Sequence, residues 1–367
     1  MGARLPLVLM ASVLNPKEHP RIWYREGKTL SENGYRIEIL SAAEPFRKDW
    51  RFRIGQQFRL IKKILHLHPD VLHLHTPELA WIALLLKPIL RYKLIYDRHE
   101  NYPIQIKLDQ ERPAVLKTIL FFVLRLTEKV LFQFSDLILL AEPGYRQDAP
   151  KRAIVIRNAY TPIIRPAADP EGPEYFLISG ALSEKNGIRE ACEFWKDIRN
   201  ALPWQLHICG HAQEQDMVAY LRTLKADFPE EVHLEGIETP VPYARIQEKI
   251  ALSACGLALF QESPHLSGKI PSRFFEFIGL KKPLLVSGNK EWARAFFPEN
   301  IRYMPSGELD SESCANWLTT HQSFDYNPGP WTWEAEATQF LQAYHTLTKK
   351  THEKMSLPQG KQKKSDL

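Results

Sequence analysis

Short apolar runs rich in Val, Ile and Leu, separated by helix-like stretches, recur in two successive series along the 367 residues, and this rhythm limits the folds open to the chain. In the first half the runs are residues 5–13, 35–41, 71–75, 93–97, 136–141 and 153–157. A strand that is apolar throughout is buried on both faces, which requires a parallel sheet with helices on either side. The helical stretch 21–33 stops at Gly34, a residue suited to the left-handed turn after a helix. After a polar, Pro-rich connector at 161–173 the rhythm restarts, with strands expected at 175–180, 205–210, 232–236, 256–260, 283–287 and 301–304. Helices are expected between them at 187–200, 214–226, 242–254, 272–279 and 310–321, with a last one at 331–348. The expectation is an α/β protein of two doubly wound domains, 1–165 and 166–330, with a cleft where the carboxyl ends of their strands face each other. Residues 349–367 read as a basic, disordered tail.

Length and composition agree with two ordinary globular domains, each large enough for its own core. The four cysteines, Cys192, Cys209, Cys255 and Cys314, are far apart and show no metal-ligand or CxxC spacing. They fit reduced, buried thiols of a cytoplasmic protein. The first apolar run is too short for a signal peptide or an anchor, and no segment is long and uncharged enough to span a bilayer. Net charge is +5, but it is unevenly spread. Residues 1–165 hold 27 Lys and Arg against 16 Asp and Glu, whereas 166–348 hold 15 against 25. The basic half is expected to meet an anionic partner. Nucleic acid lacks support, because there is no zinc-finger spacing, RNP-like motif or dense basic stripe. An anionic membrane surface fits better. Residues 112–134 interleave bulky apolar positions with Lys117, Arg125 and Lys129, as in a helix lying in the interface plane, although a core helix of an α/β domain has much the same pattern.

The segment Lys269-Ile270-Pro271-Ser272-Arg273-Phe274-Phe275-Glu276-Phe277 reads as a loop entering a helix at Pro271. Arg273 and Glu276 are three apart and share a face. A cation near a helix N-terminus suits a diphosphate, and a carboxylate one turn deeper suits the paired hydroxyls of a ribose. The loop from Gly180 to Gly187, with Lys185, is a second candidate phosphate cradle. Asp97-Arg98-His99-Glu100 ends a strand, where His99 can hydrogen-bond a sugar hydroxyl. His73 and His75 alternate on the preceding strand and share a sheet face, but no further ligand stands at metal spacing, so no metal is expected. The first βα loop, which contains His19 and Arg21, carries no Gly-rich dinucleotide fingerprint. Neither a nucleophile elbow nor a marked pair of carboxylates appears, so acyl transfer and glycoside hydrolysis lack support.

Taken in order, these motifs resemble the family-4 retaining glycosyltransferases of the GT-B fold over about residues 5–348. The resemblance rests on Asp97 to Glu100, Arg157-Asn158, the Gly180 loop, Gly210, Gly236 and above all the 271–277 helix. It implies that the last helix, 331–348, crosses back onto the first domain. It also implies sugar transfer from a UDP- or GDP-sugar to a lipid-linked or envelope glycan acceptor, with no cofactor and no metal, at the inner face of the cytoplasmic membrane. His99, Lys185 and Arg273 would act on the reacting groups. Gly180, Lys269, Ser272 and Glu276 would bind the donor, with Glu276 on the ribose, and His19 and Arg21 would shape the acceptor side. Three positions depart from the family pattern. Gly268 stands where a second Glu is common, and Ala181 and Asn186 replace a basic pair, with Lys185 displaced by one residue. Loss of a preorganised cation beside a leaving diphosphate costs ~3 kcal/mol. A nucleotide-sugar epimerase of the same fold and a non-catalytic nucleotide-sugar-binding subunit are therefore the competing expectations.

Overall fold

Every strand anticipated from the apolar runs forms, and all of them pair in parallel. The structure is a computed structural model that describes residues 4–13, 15–41, 50–108, 112–164, 172–263, 266–292, 297–305, 310–321 and 324–356. Contacts divide the chain into two units. One comprises Met1–Ala141, Tyr145–Arg157 and Glu336–Leu367, and the other Glu142–Gly144 and Asn158–Ala335.

The first unit contains β1 (Leu7–Ala11), α1 (Lys28–Glu32), β2 (Arg36–Leu40), α2 (Trp50–Leu67), β3 (Val71–Leu74), α3 (Ala80–Leu90), β4 (Lys93–Arg98), α4 (Tyr102–Leu108), α5 (Ala114–Phe134), β5 (Leu137–Leu140) and β6 (Ile154–Val155). Its sheet runs in the order β2-β1-β3-β4-β5-β6, reversing direction of growth between β1 and β3. Leu60 and Ile64 of α2, Ala80 and Ala83 of α3, and Leu131 of α5 pack with strand residues such as Leu9, Leu72 and Leu94 into one core.

The second unit contains β7 (Tyr175–Leu182), α6 (Ile188–Ile198), β8 (Gln205–Ala212), α7 (Gln215–Asp227), β9 (Val232–Ile237), α8 (Tyr243–Leu252), β10 (Cys255–Leu259), α9 (Ser272–Gly279), β11 (Leu284–Ser287), β12 (Ile301–Tyr303) and α10 (Ser311–Thr320). The order β12-β11-β10-β7-β8-β9 reverses between β7 and β10. One core gathers around the fully buried Trp195 of α6 with Leu221 of α7 and Leu318 of α10. Another gathers Phe274 and Phe277 of α9 with Ile250 of α8 and Trp292. In open α/β sheets such reversal points are where ligands bind, at the carboxyl ends of the strands.

Three local features differ from expectation. The stretch expected as one helix over 21–33 is π-helical over Pro20–Gly27 before α1 begins. The wider π turn, with i→i+5 bonding, brings Arg21 and Glu26, five apart, onto one side, where their side chains meet at 3.0 Å. Pro271 is the extended residue before α9 rather than its first helical residue. The final helix, α11 (Trp333–Ser356), runs past residue 348 into the expected tail, and residues 357–367 lie outside the described residues. In the first unit Tyr344 of α11 donates to or accepts from His73 Nδ1 at 2.7 Å, and Glu336 holds Arg157 at 2.6 Å.

The stretch expected as either an interface helix or a core helix forms α5, which buries Thr127, Glu128 and Leu131. Val115, Ile119, Phe122, Val123 and Leu126 of the same helix are exposed by half or more. Trp81, Leu85 and Ile89 of α3, spaced four apart, are exposed as well, as are Trp50, Ile54 and Phe58 of α2. Four-residue spacing keeps each set on one helix face.

Candidate functional site

In the second unit, Gly180, Gly210 and Gly236 lie opposite one another in a row across β7, β8 and β9. The sequence places these glycines at or just after strand ends, yet the three strands continue to Leu182, Ala212 and Ile237. A Cβ on Gly210 would stand 2.0 Å from the Gly180 carbonyl oxygen, and one on Gly236 2.6 Å from that of Gly210. The row thus leaves bare backbone at the carboxyl end of the sheet. Gly180 also has φ +95°, which a side chain would oppose.

Arg273, in the first turn of α9, covers this bare backbone. Its Nη2 lies 3.4 Å from where a Gly180 Cβ would be, and its Cζ is 5.1 Å from the Phe260 ring centroid. Burial pulls the guanidinium down to about 10, with Glu276 opposing the shift, so it remains cationic at neutral pH. Glu276 lies one turn deeper and is 5% exposed. Ser272 opens the helix and is exposed, while Lys269 is half-buried just before it. Lys185 is exposed on a short 3-10 turn, Glu184–Asn186, and Asn186 Nδ2 donates to the Ala181 carbonyl at 2.7 Å. Of the sequence-derived donor group, Gly180, Arg273 and Glu276 come together.

Gly268 has a steric reason to depart from the family pattern. Its φ is +66°, and a Cβ would lie 2.7 Å from the Cα of Gly144. Its amide donates to Glu291 at 2.8 Å and its carbonyl accepts from Gly144 N–H at 3.2 Å. No side chain fits without moving that backbone.

In the first unit, Asp97 of β4 is fully buried and receives Arg21 through Nε at 2.7 Å and Nη2 at 2.8 Å. Arg21 Nη1 donates to the Ile156 carbonyl at 2.8 Å. Arg21, expected to shape an acceptor surface, is itself 1% exposed and braces this interior. His99 Nε2 is 2.7 Å from Asp97 Oδ2 and 2.9 Å from His75 Nδ1, and the His19 ring stacks on His99 with centroids 5.9 Å apart. Burial alone would raise Asp97, but Arg21, His99 and His75 outweigh it and hold the carboxyl well below its usual range. Because an ionised Asp97 only accepts, His99 Nε2 carries the proton. Glu26 shifts the other way: burial and Asp97 raise it, against Arg21 and Arg25.

The ligand atoms of Glu26, His73, His75 and Asp97 all lie within 4.8 Å of one another. Two imidazoles and two carboxylates make a donor set that suits a divalent transition metal. The Arg21 guanidinium already lies against both carboxylates, at 3.0 Å from Glu26 and 2.7 Å from Asp97, and supplies positive charge there. The sequence discloses only the alternating histidines, because Glu26 and Asp97 come from distant elements and form no spacing with them.

Burial lowers His75 to about 4, against 6.5 for a free imidazole, and His73 and His19 are lowered for the same reason. Between those pH values the unfolded chain binds a proton that folded His75 refuses. Stability is therefore expected to fall as pH drops from 6.5 towards 4, by on the order of 3 kcal/mol from this group. Thermal unfolding of His75→Gln across that range should show a shallower decline than the parent; an equal slope would remove His75 from the titration. For Gly268→Glu, which restores the family residue, the expected outcome is a lower Tm, with at least about 1 kcal/mol lost to the left-handed backbone alone. A Tm unchanged or raised would show that the close approach to Gly144 is not limiting.

Residues 17–148 match the family model Glycosyltransferase Family 4. No curated protein matches the chain. Solved structures similar to it include sucrose-phosphate synthase from Thermosynechococcus elongatus, 14% identical with a TM-score of 0.67 over 94% of this chain and 99% of that one. HepE of Anabaena, solved in complex with UDP-glucose, is 13% identical with a TM-score of 0.58 over 93% and 99%. A protein described as a putative UDP-N-acetylglucosamine 2-epimerase from Listeria monocytogenes is 10% identical with a TM-score of 0.60 over 95% and 98%. At these identities the shared property is the fold. The two six-stranded parallel sheets with their flanking helices are those of GT-B glycosyltransferase structures.

Proposed function

We propose that the protein transfers a sugar, with retention at the anomeric carbon, from a UDP- or GDP-sugar to a lipid-linked or envelope glycan acceptor, without a metal. The observation that carries this is Arg273 lying over the bare glycine backbone at the β7/β10 reversal point, with Glu276 one turn deeper. Arg273 and the α9 N-terminus hold the diphosphate, and Arg273 stabilises its charge as the anomeric C–O bond breaks. Lys269 and Ser272 flank the diphosphate, Lys185 adds a further cation from the exposed turn 184–186, and Glu276 accepts from both ribose hydroxyls. The acceptor oxygen forms the new bond on the face from which the diphosphate departs and passes its proton to the departing diphosphate oxygen. His99 hydrogen-bonds a sugar hydroxyl through Nδ1, since Nε2 is engaged with Asp97. His19, stacked on His99, lies on the acceptor side. The family match over 17–148 and the fold shared with a structure holding UDP-glucose support a nucleotide sugar as donor.

The fold shared with a protein described as a putative UDP-N-acetylglucosamine 2-epimerase keeps a nucleotide-sugar epimerase as the second reading. Titration with UDP and GDP is expected to show saturable binding by one of them, weakened about 10- to 100-fold in Glu276→Ala, as the loss of hydrogen bonds to a charged group requires. Equal affinity in a variant that still unfolds cooperatively would take Glu276 out of the site. Conversion of the bound nucleotide sugar with no acceptor present would favour the epimerase. Binding without turnover would favour a non-catalytic subunit.

The exposed apolar stripes of α2, α3 and α5, in a half rich in Lys and Arg, support peripheral attachment to an anionic membrane on its cytoplasmic side. No helix among the described residues is long and apolar enough to cross a membrane. The protein is expected to sediment with vesicles containing phosphatidylglycerol at low salt, and Ile119→Glu/Phe122→Glu should reduce that several-fold. Equal sedimentation of the variant would show that α5 is not the contact.

A further inference from the structure

A cavity of about 540 Å³ in the first unit lies beyond the carboxyl end of β4, between α4 and α5, and shares no residue with the donor-side group around Arg273. Its floor is Arg98, the last residue of β4 and 1% exposed. Glu128 of α5 holds Arg98 through Nε at 2.9 Å and Nη2 at 3.1 Å, so these two charges offset each other. The Arg98 guanidinium is further enclosed by the Phe132 and Tyr145 rings, at 5.8 and 5.1 Å from their centroids.

The rim is different. Lys107 of α4 and Arg125 and Lys129 of α5, one helical turn apart, are all exposed, and Asp148 is the one other carboxylate in the lining. Three cations against one carboxylate leave two net positive charges at the mouth. The remaining wall is Asn101, whose Oδ1 accepts from Arg98 Nη2 at 3.1 Å, and the apolar Pro103, Ile104, Phe121 and Phe132. On α5, Phe121 and Arg125 directly precede Phe122 and Leu126, which are 63% and 56% exposed. A dianionic phosphate matches the cationic rim, but it makes no use of the apolar wall or of the adjoining stripe. A molecule with a phosphate and an apolar chain uses all three.

We propose that this cavity binds the phosphate of an amphiphilic phosphate ester, whose chain runs onto the exposed apolar face of α5. The inference rests on the membrane-surface part of the function proposed above and supplies the chemical class that the surface selects. The phosphate enters between Lys107, Arg125 and Lys129, and the chain leaves past Phe121.

The test is titration of the full chain with farnesyl phosphate, farnesol and inorganic phosphate, without vesicles, beside Arg125→Gln/Lys129→Gln. UDP is titrated into each protein as an independent ligand. Farnesyl phosphate is expected to bind saturably and at least about tenfold more tightly than either fragment, and to lose about tenfold or more in the double variant. UDP affinity and thermal unfolding should be the same in both proteins. Undiminished farnesyl phosphate binding by the double variant, or equal affinity for farnesol, would overturn the site. Inorganic phosphate binding as tightly as farnesyl phosphate would overturn the amphiphile. Should the double variant unfold, Lys107→Gln decides in its place by the same comparison. Failure of UDP to bind alongside normal farnesyl phosphate binding would sink the nucleotide-donor proposal and leave the cavity standing, and the reverse result would do the opposite.

Discussion

The interior of the first unit is arranged around one buried anion, Asp97. A carboxylate with no solvent access is costly unless it is paired and hydrogen-bonded. Arg21 satisfies it on two atoms and also binds the Ile156 carbonyl, so one guanidinium links the first helical segment, β4 and the end of β6. His75 and His99 occupy the remaining approach to Asp97 Oδ2. The π-helical turn is what lets Arg21 and Glu26 face this point together. With these groups fixed, His99 is held in one tautomer at the end of β4, and His19 is stacked on its ring.

The second unit solves a different problem, namely how to leave room. Its ligand end is built from the absence of side chains in the row Gly180, Gly210 and Gly236, with a half-buried cation over the gap. The missing family Glu at Gly268 belongs to the same economy of space, since the backbone of Gly144 passes where a side chain would begin. Arg273 and Glu276 stay together one helical turn apart on α9, with Arg273 over Gly180.

Charge and apolar surface meet on α5. One side of this helix supplies Leu131 to the core and Glu128 to Arg98; the other leaves a stripe of large apolar residues in water. Monomeric soluble proteins seldom leave such a stripe uncovered. Lys107, Arg125 and Lys129 are exposed beside it, so apolar surface and positive charge adjoin on this face.

The sequence by itself determined the α/β class and all twelve strands, because strands buried on both faces must be apolar along their whole length and are visible in any window. It also placed Arg273 and Glu276 together on α9, since they lie within one helical turn, where spacing fixes the shared face. The tertiary structure alone decided the rest. Asp97, Glu26 and the pair His73 and His75, at the end of β3, converge from three separate elements, and Arg21 moves from a presumed surface role to a buried one because its partner lies 76 residues away. The strand order, which sets the reversal points, and the face that α5 leaves exposed likewise depend on which segments pack together. Local spacing reports what a single turn or strand brings together, whereas contacts across the sheet depend on how the whole chain closes.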